Sequence, residues 1–388
     1  MAAAYPGPMV SRAEQVDAVM QQATAEMAAP GAVWAVAWGP GERRRVVTGQ
    51  AGGLGPATIL RLSSVTKLVG SVAALALVEA GALSLDDPVG RWVPEWAGRR
   101  VLRARHGVLG ETVPADREVT VRDLLLMGFG LGYDMGGGED DELSLASERA
   151  GILSSWVCPG LDRRTWVERT AALPMRHQPG AGWLYQTSFD ALTVVLEAAT
   201  GRPVEQLLRE VVLGPLGMSE TAYSLGEHQL RRVPALFFPD DHGGVQLAAP
   251  EGDPSLLAPP VFPSLSTGLL STVGDLTAFG QLLLDRGRGP RGRLVSAEAV
   301  EAVTTPALTG AAREMAGEFL DPGVSWGLGA AVDGEGRFGW DGGTGTSLWV
   351  DPAAGTAAVL LTRQGMGGPS APEIFTRFWE TVRCAPWP

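Results

Sequence analysis

The strand-like runs of this chain stand at its two ends, and the stretch between them is helical. Near the start, Ala32–Trp38 and Arg44–Gly49 have strand length and composition and are separated by Gly-Pro-Gly at 39–41. Near the end, Ser325–Val332, Gly336–Trp340, Thr346–Val350 and Ala357–Thr362 read as successive strands. Helical patterns fill the middle: residues 64–81, ended by Gly81, then Val121–Met127, Ser188–Ala199, Val204–Val212 and Val273–Arg286. Helices also flank the two ends, residues 11–28 with Ser11 as N-cap and Ala371–Arg383. The economical architecture is α+β: an antiparallel sheet built from both chain termini, flanked by helices, with an all-helical insertion. A length of 388 residues suits two domains, or one large one with an insertion. The expected division is a discontinuous α/β domain, 1–85 with 291–388, and a mainly helical domain, 86–290. No internal repeat is visible.

Composition removes several function classes. Hydrophobic residues at 45% and charged residues at 19% describe a globular chain, not a disordered one. No run of about 18 apolar residues is present, so no membrane span is expected. The opening MAAAYPGPMVSRAEQVDAVMQQA has no basic start followed by an apolar core, which argues against a secretory signal. Cys158 and Cys384 then read as two free thiols of a cytoplasmic protein. A net charge of −12 repels phosphate backbones, so nucleic acid is not an expected partner. His106, His177, His228 and His242 are scattered and form no metal-ligand pattern, so neither metal nor cofactor is expected. The acidic run Glu139–Glu142 reads as a solvated loop.

Of the 31 basic residues only one is a lysine, Lys67. Arg replaces Lys wherever charge alone is needed, but Arg cannot release a proton near neutrality and Lys can. Chance survival at a surface site is the alternative. Lys67 lies in Ser64-Val65-Thr66-Lys67 at the start of the long apolar helix, and residues i and i+3 share a helix face. The helix dipole and a low-dielectric wall would both depress the amine pKa and make it a base for the Ser64 hydroxyl. A rival, Gly323-Val-Ser-Trp-Gly327, fits the GxSxG nucleophile elbow, which needs a strand before it and a helix after it. Here a Pro-Gly loop precedes it and the strand-like Leu328–Val332 follows, so the elbow reading fails.

The Ser-x-x-Lys pattern resembles the active-site motif of serine β-lactamases and penicillin-binding proteins. Leu60-Arg-Leu-Ser-Ser-Val-Thr-Lys67 and Gly81-Ala-Leu-Ser-Leu-Asp-Asp-Pro-Val89 resemble segments of class C β-lactamases and family VIII esterases. Thr120-Val-Arg-Asp-Leu-Leu125, Gly214-Pro-Leu-Gly-Met-Ser219 and Ser266-Thr-Gly-Leu-Leu-Ser271 resemble further landmarks, and Met127-Gly-Phe-Gly-Leu131 stands where His-Thr-Ser-Gly-Leu is common. The likeness runs from about residue 11 to 380. It implies the β-lactamase/transpeptidase-like fold and a second motif, Tyr-x-Asn, matched by Tyr185-Gln186-Thr187. Tyr185 would then stand beside Lys67 with a lowered pKa and take or return the nucleophile's proton, while Thr187 replaces the amide. The third motif, Lys-Thr-Gly or His-x-Gly, corresponds to Trp340-Asp341-Gly342. Trp340 offers an apolar face and one N–H in place of a cation, as in the esterase branch; packing in the core is its other reading.

The resemblance thus implies Ser64, Lys67 and Tyr185 as catalytic residues, the Ser64 and Gly343 N–H groups as oxyanion hole, and Thr187, Trp340, Asp341 and Gly342 as substrate-binding residues. It implies a small-molecule acyl substrate. An esterase or amidase on a neutral substrate fits best. A transacylase passing the acyl group to an amine or alcohol acceptor fits the same residues. A β-lactamase or D-Ala-D-Ala carboxypeptidase lacks its carboxylate anchor, unless Arg363 restores one. A non-catalytic ligand sensor would not need Ser64, Lys67 and Tyr185 together.

Overall fold

The computed structural model describes residues 11–39, 41–138, 140–384 and 387. The first ten residues, on which much of the signal-peptide reading rests, lie outside that set, as does Glu139. The first helix is α1, Arg12–Ala25; Ser11 accepts from the Glu14 N–H, and the Glu14 carboxylate accepts from the Ser11 N–H. Seven strands form one sheet: β1 Ala32–Trp38, β2 Arg45–Ala51, β3 Ser325–Trp326, β4 Ala331–Val332, β5 Phe338–Gly342, β6 Thr346–Asp351 and β7 Thr356–Thr362. Their spatial order is β3-β4-β5-β6-β7-β1-β2, antiparallel throughout. The ends of the chain meet at β1 and β7, in register from Ala32 opposite Thr362 to Trp38 opposite Thr356.

Both faces of this sheet are covered, which is why β1 and β7 read as unbroken apolar runs. One face carries Trp34, Val36, Ala358 and Leu360 against α1 and the last helix, α5, Glu373–Arg383, through Val16, Met20, Phe375 and Phe378. The other carries Val33, Ala35, Val359 and Leu361 into the main core. That core includes α2, Thr66–Glu79, α3, Thr187–Thr200, and α4, Val273–Leu284.

The fold class is as expected, with three local corrections. Ser325–Val332 is not one strand but two, β3 and β4, folded back on each other. The turn between them passes Gly329 at φ +102, and a Cβ there would lie 1.7 Å from the Ser71 hydroxyl of α2. The region 86–290 is not wholly helical: Arg100–Leu102 pairs with Thr112–Pro114, and Leu236–Pro239 with Val245–Ala249. Helix α4, placed by sequence with the helical region, packs on β7, β1 and β6. Its Gly280 lets it approach Leu348 and Ala357, so a division at residue 290 separates α4 from the sheet it covers.

Asp141, within the acidic run, is also not part of a solvated loop. Asp141 is buried, accepts from the Ser144 N–H at the start of the helix Glu142–Ala150, and pairs with the Arg176 guanidinium at 2.5 Å. That bond holds the Asp141 carboxyl well below the usual carboxylate range. Among the described residues no helix is long and apolar enough to cross a membrane, and no group of three or more His, Cys, Asp or Glu is placed to hold a metal.

Candidate active site

The segment before Ser64 is clamped from two sides. Leu60–Arg61 pairs with Leu270–Ser271, and the Leu62 N–H donates to Leu269 O at 2.8 Å. From the sheet, the Thr346 hydroxyl donates to Leu62 O at 2.8 Å, and a Cβ on Gly342 would lie 2.3 Å from that same oxygen. Only glycine allows β5 so close. Gly342, expected to bind substrate, is buried and serves this approach instead. Ser63–Val65 then forms a 3-10 turn that leads into α2.

Lys67 is fully buried on the first turn of α2. Its Nζ lies 3.0 Å from Ser64 Oγ, 2.6 Å from Gln186 Oε1 and 2.6 Å from Ser266 O. Burial pushes the amine down to about 7, against the opposing charge of Asp190. A neutral amine has two hydrogens and one lone pair. The two hydrogens satisfy Gln186 and Ser266, and the lone pair is left for the Ser64 hydroxyl proton.

Tyr185 joins this pair differently from expectation. Lys67 Nζ sits over the phenol ring, 4.6 Å from its centroid, rather than beside its oxygen. Burial drives the phenol pKa above its ordinary value, and the Ser64 hydroxyl and the Trp340 N–H only partly offset it. The expected lowering is thus reversed: the low-dielectric surroundings penalise a phenolate more than those two hydrogen bonds stabilise it, and the Asp341 charge adds to the penalty. The Trp340 indole N–H donates to Tyr185 Oη at 2.7 Å, which leaves the phenol's own proton free to donate. Trp340 therefore spends its one N–H on positioning Tyr185 and offers substrate only its ring.

Thr187, the residue matched to the motif's amide, is fully buried, and its hydroxyl has no partner among the described residues. It does not line the cavity. The amide beside Lys67 is supplied by Gln186, a residue the motif reading passed over. Gln186 holds φ 87 and ψ −66, a costly backbone for a non-glycine residue, and donates its Nε2 to Ser155 O at 3.0 Å.

A second missed residue is Asp190, one turn into α3 and buried. Its carboxylate accepts from Ser154 at 2.9 Å and from both Ser264 and Ser266 at 2.5 Å. Burial raises its pKa to about 6, with those three hydroxyls and the Lys67 charge opposing. An aspartate inside the apolar stretch Phe189–Leu196 is the sequence signal that could have revealed it.

Ser64, Tyr185 and Gln186 form the floor of a cavity of about 450 Å³, with Lys67 behind Ser64. Ser64, Tyr185, Gln186, Trp340, Asp341 and Gly343 all line it. The Gly343 N–H, in the turn between β5 and β6, has no partner among the described residues. Ser64 lies in the first turn of its helix, where N–H groups lack intrahelical acceptors. Arg363 does not line this cavity; it borders a separate crevice with Leu60, Leu236 and Thr344.

The family model described as Beta-lactamase matches residues 16–382. Protein Rv1367c of Mycobacterium tuberculosis is 32% identical over 319 residues, 78% of this chain and 77% of its own length. Esterase EstB of Burkholderia gladioli is 30% identical over 396 residues, 92% of this chain and 93% of its own. Among solved structures, EstCE1, described as a hydrolase with promiscuous acyltransferase activity, superposes with a TM-score of 0.79 at 22% identity, covering 96% of this chain and 98% of its own.

Proposed function

The chain belongs to the beta-lactamase family, and from that premise we propose that it is a serine acyl-transfer enzyme cleaving an ester or amide of a small molecule. The observation that carries this reading is the Ser64–Lys67 contact of 3.0 Å at the cavity floor, with the amine pKa down at about 7. Ser64 Oγ attacks the carbonyl carbon as its proton passes to Lys67 Nζ. The Ser64 and Gly343 N–H groups hold the oxyanion. As the tetrahedral intermediate collapses, the neutral Tyr185 phenol donates a proton to the leaving group; it later takes one from the incoming nucleophile, and Lys67 returns its own to Ser64 Oγ. An acyl-Ser64 ester remains, and an incoming nucleophile releases it with regeneration of the Ser64 hydroxyl. EstB, named an esterase, supports this substrate class.

A second reading, transfer of the acyl group to an amine or alcohol acceptor, is favoured by the aromatic cavity wall of Trp156, Phe238, Phe319, Trp340 and Trp349, which can seat an acceptor and exclude water. A β-lactamase or carboxypeptidase needs a cation for the substrate carboxylate, and neither Trp340 nor the remote Arg363 provides one. The proposed compartment is the cytoplasm, on the two free thiols, Cys158 and Cys384.

The test is Ser64→Ala with an ester and amide panel, with and without added amines or alcohols. A loss of about 10³-fold or more is expected, with the fold intact by circular dichroism. Mass spectrometry should find the acyl group on the Ser64 peptide of the parent protein and identify hydrolysis or transfer products. Activity that survives in the variant would remove Ser64 as nucleophile.

A further inference from the structure

The cavity wall is charged, and with one sign only. Its lining residues include Asp321 and Asp341 but no Lys, Arg or His. Asp341 is half-buried on β5. Its Oδ1 accepts from the Ser347 hydroxyl at 2.5 Å and the Trp349 indole N–H at 3.0 Å. Its Oδ2 accepts from no described residue. The carboxylate is thus fixed in position by two neutral donors while one oxygen is left for something else. Burial raises its pKa to about 6 and the nearby Asp321 charge adds to the effect, while the Ser347 and Trp349 bonds and the Arg383 guanidinium of α5 oppose it. Asp321, exposed and in no ion pair among the described residues, stands at the mouth. Trp349 stands beside the carboxylate on the same sheet face, and Trp340, from the other face, lines the rest of the cavity with Phe319, Trp156 and Phe238.

A preorganised carboxylate among aromatic faces is complementary to a cation. We propose that the cavity takes substrates carrying a cationic nitrogen on the acyl or alcohol side, held between the Asp341 carboxylate and the aromatic walls, with Asp321 drawing them in at the mouth. This rests on the serine acyl-transfer reading and names its substrate class. The rival explanation makes Asp341 a brace between β5 and β6, because Ser347 stands opposite it in register. Asp341→Asn separates the two: the amide oxygen still accepts from Ser347 and Trp349, and only the charge goes.

The experiment compares a para-nitrophenyl ester whose acyl chain ends in trimethylammonium with its isostere ending in tert-butyl. In the parent protein kcat/KM should favour the cationic ester by about tenfold or more. Asp341→Asn should bring that ratio near one, whatever its absolute rates, and Asp321→Asn should lower it part of the way. A ratio of one or less in the parent, or a ratio unchanged by Asp341→Asn, would overturn the proposal. Calorimetric titration with phenyltrimethylammonium reads the site without chemistry. Ser64→Ala protein should bind it saturably, and addition of Asp341→Asn should weaken binding about fivefold or more. Absence of saturable binding would also overturn it. Should neither ester turn over in the parent, the serine reading falls and the titration alone decides the cation site. If Asp341→Asn fails to fold, Asp321→Asn in both assays takes its place.

Discussion

Lys67 carries two residue-scale expectations. Replacement by Arg should cost about as much as replacement by Ala, about 10²–10⁴-fold in kcat, because the charge is kept but the transferable proton is lost. Near-normal turnover by the Arg variant would make Lys67 a fixed charge. The active form is the neutral amine, so kcat/KM for a neutral ester should rise with pH through a limb near 7. Burial brings that limb down and Asp190 opposes it. Its negative charge favours the protonated amine, so Asp190→Asn should depress the Lys67 pKa further and move the limb to lower pH. A merely structural role would lower the rate without moving the limb, and the pH profile distinguishes the two.

At the scale of the element, the β3–β4 turn ties the edge of the sheet to the helix that carries the lysine. Gly329 combines a left-handed backbone with contact against Ser71, one turn after Lys67 on α2. Ser71 is itself buried and donates to the Lys67 carbonyl at 2.8 Å. Gly329→Ala should therefore strain the backbone and push on α2, at a cost of about 2–4 kcal/mol. Urea titration should show a lower midpoint with little change in slope. A midpoint equal to the parent's would mean that the turn relaxes freely.

On the scale of the whole molecule, the net charge of −12 and a cavity with two carboxylates and no cation act in the same direction. A substrate bearing a carboxylate near the scissile carbonyl should be disfavoured against its methyl ester by about tenfold or more in kcat/KM, since its charge would be desolvated without a partner. The measurement uses one scaffold as free acid and as remote methyl ester. A preference for the free acid would show that a cation outside the described wall reaches the substrate.

The sequence by itself determined what short windows of chain encode. The i, i+3 spacing of Ser64 and Lys67 brings hydroxyl and amine onto one helix face, and apolar runs at both ends announce strands buried on two sides and joined across the chain. Trp340, uncharged, announced a cavity wall without a cation at that position. Tertiary structure decided the rest, because burial and long-range contact belong to no window. The direction of the Tyr185 shift depends on how completely water is excluded around the phenol. The choice of Gln186 over Thr187 depends on one strained backbone angle that turns the amide toward Lys67. Asp190 gains its role from Ser154, Ser264 and Ser266, brought in from distant parts of the chain, and α4 joins the sheet because Gly280 fits against Leu348 and Ala357.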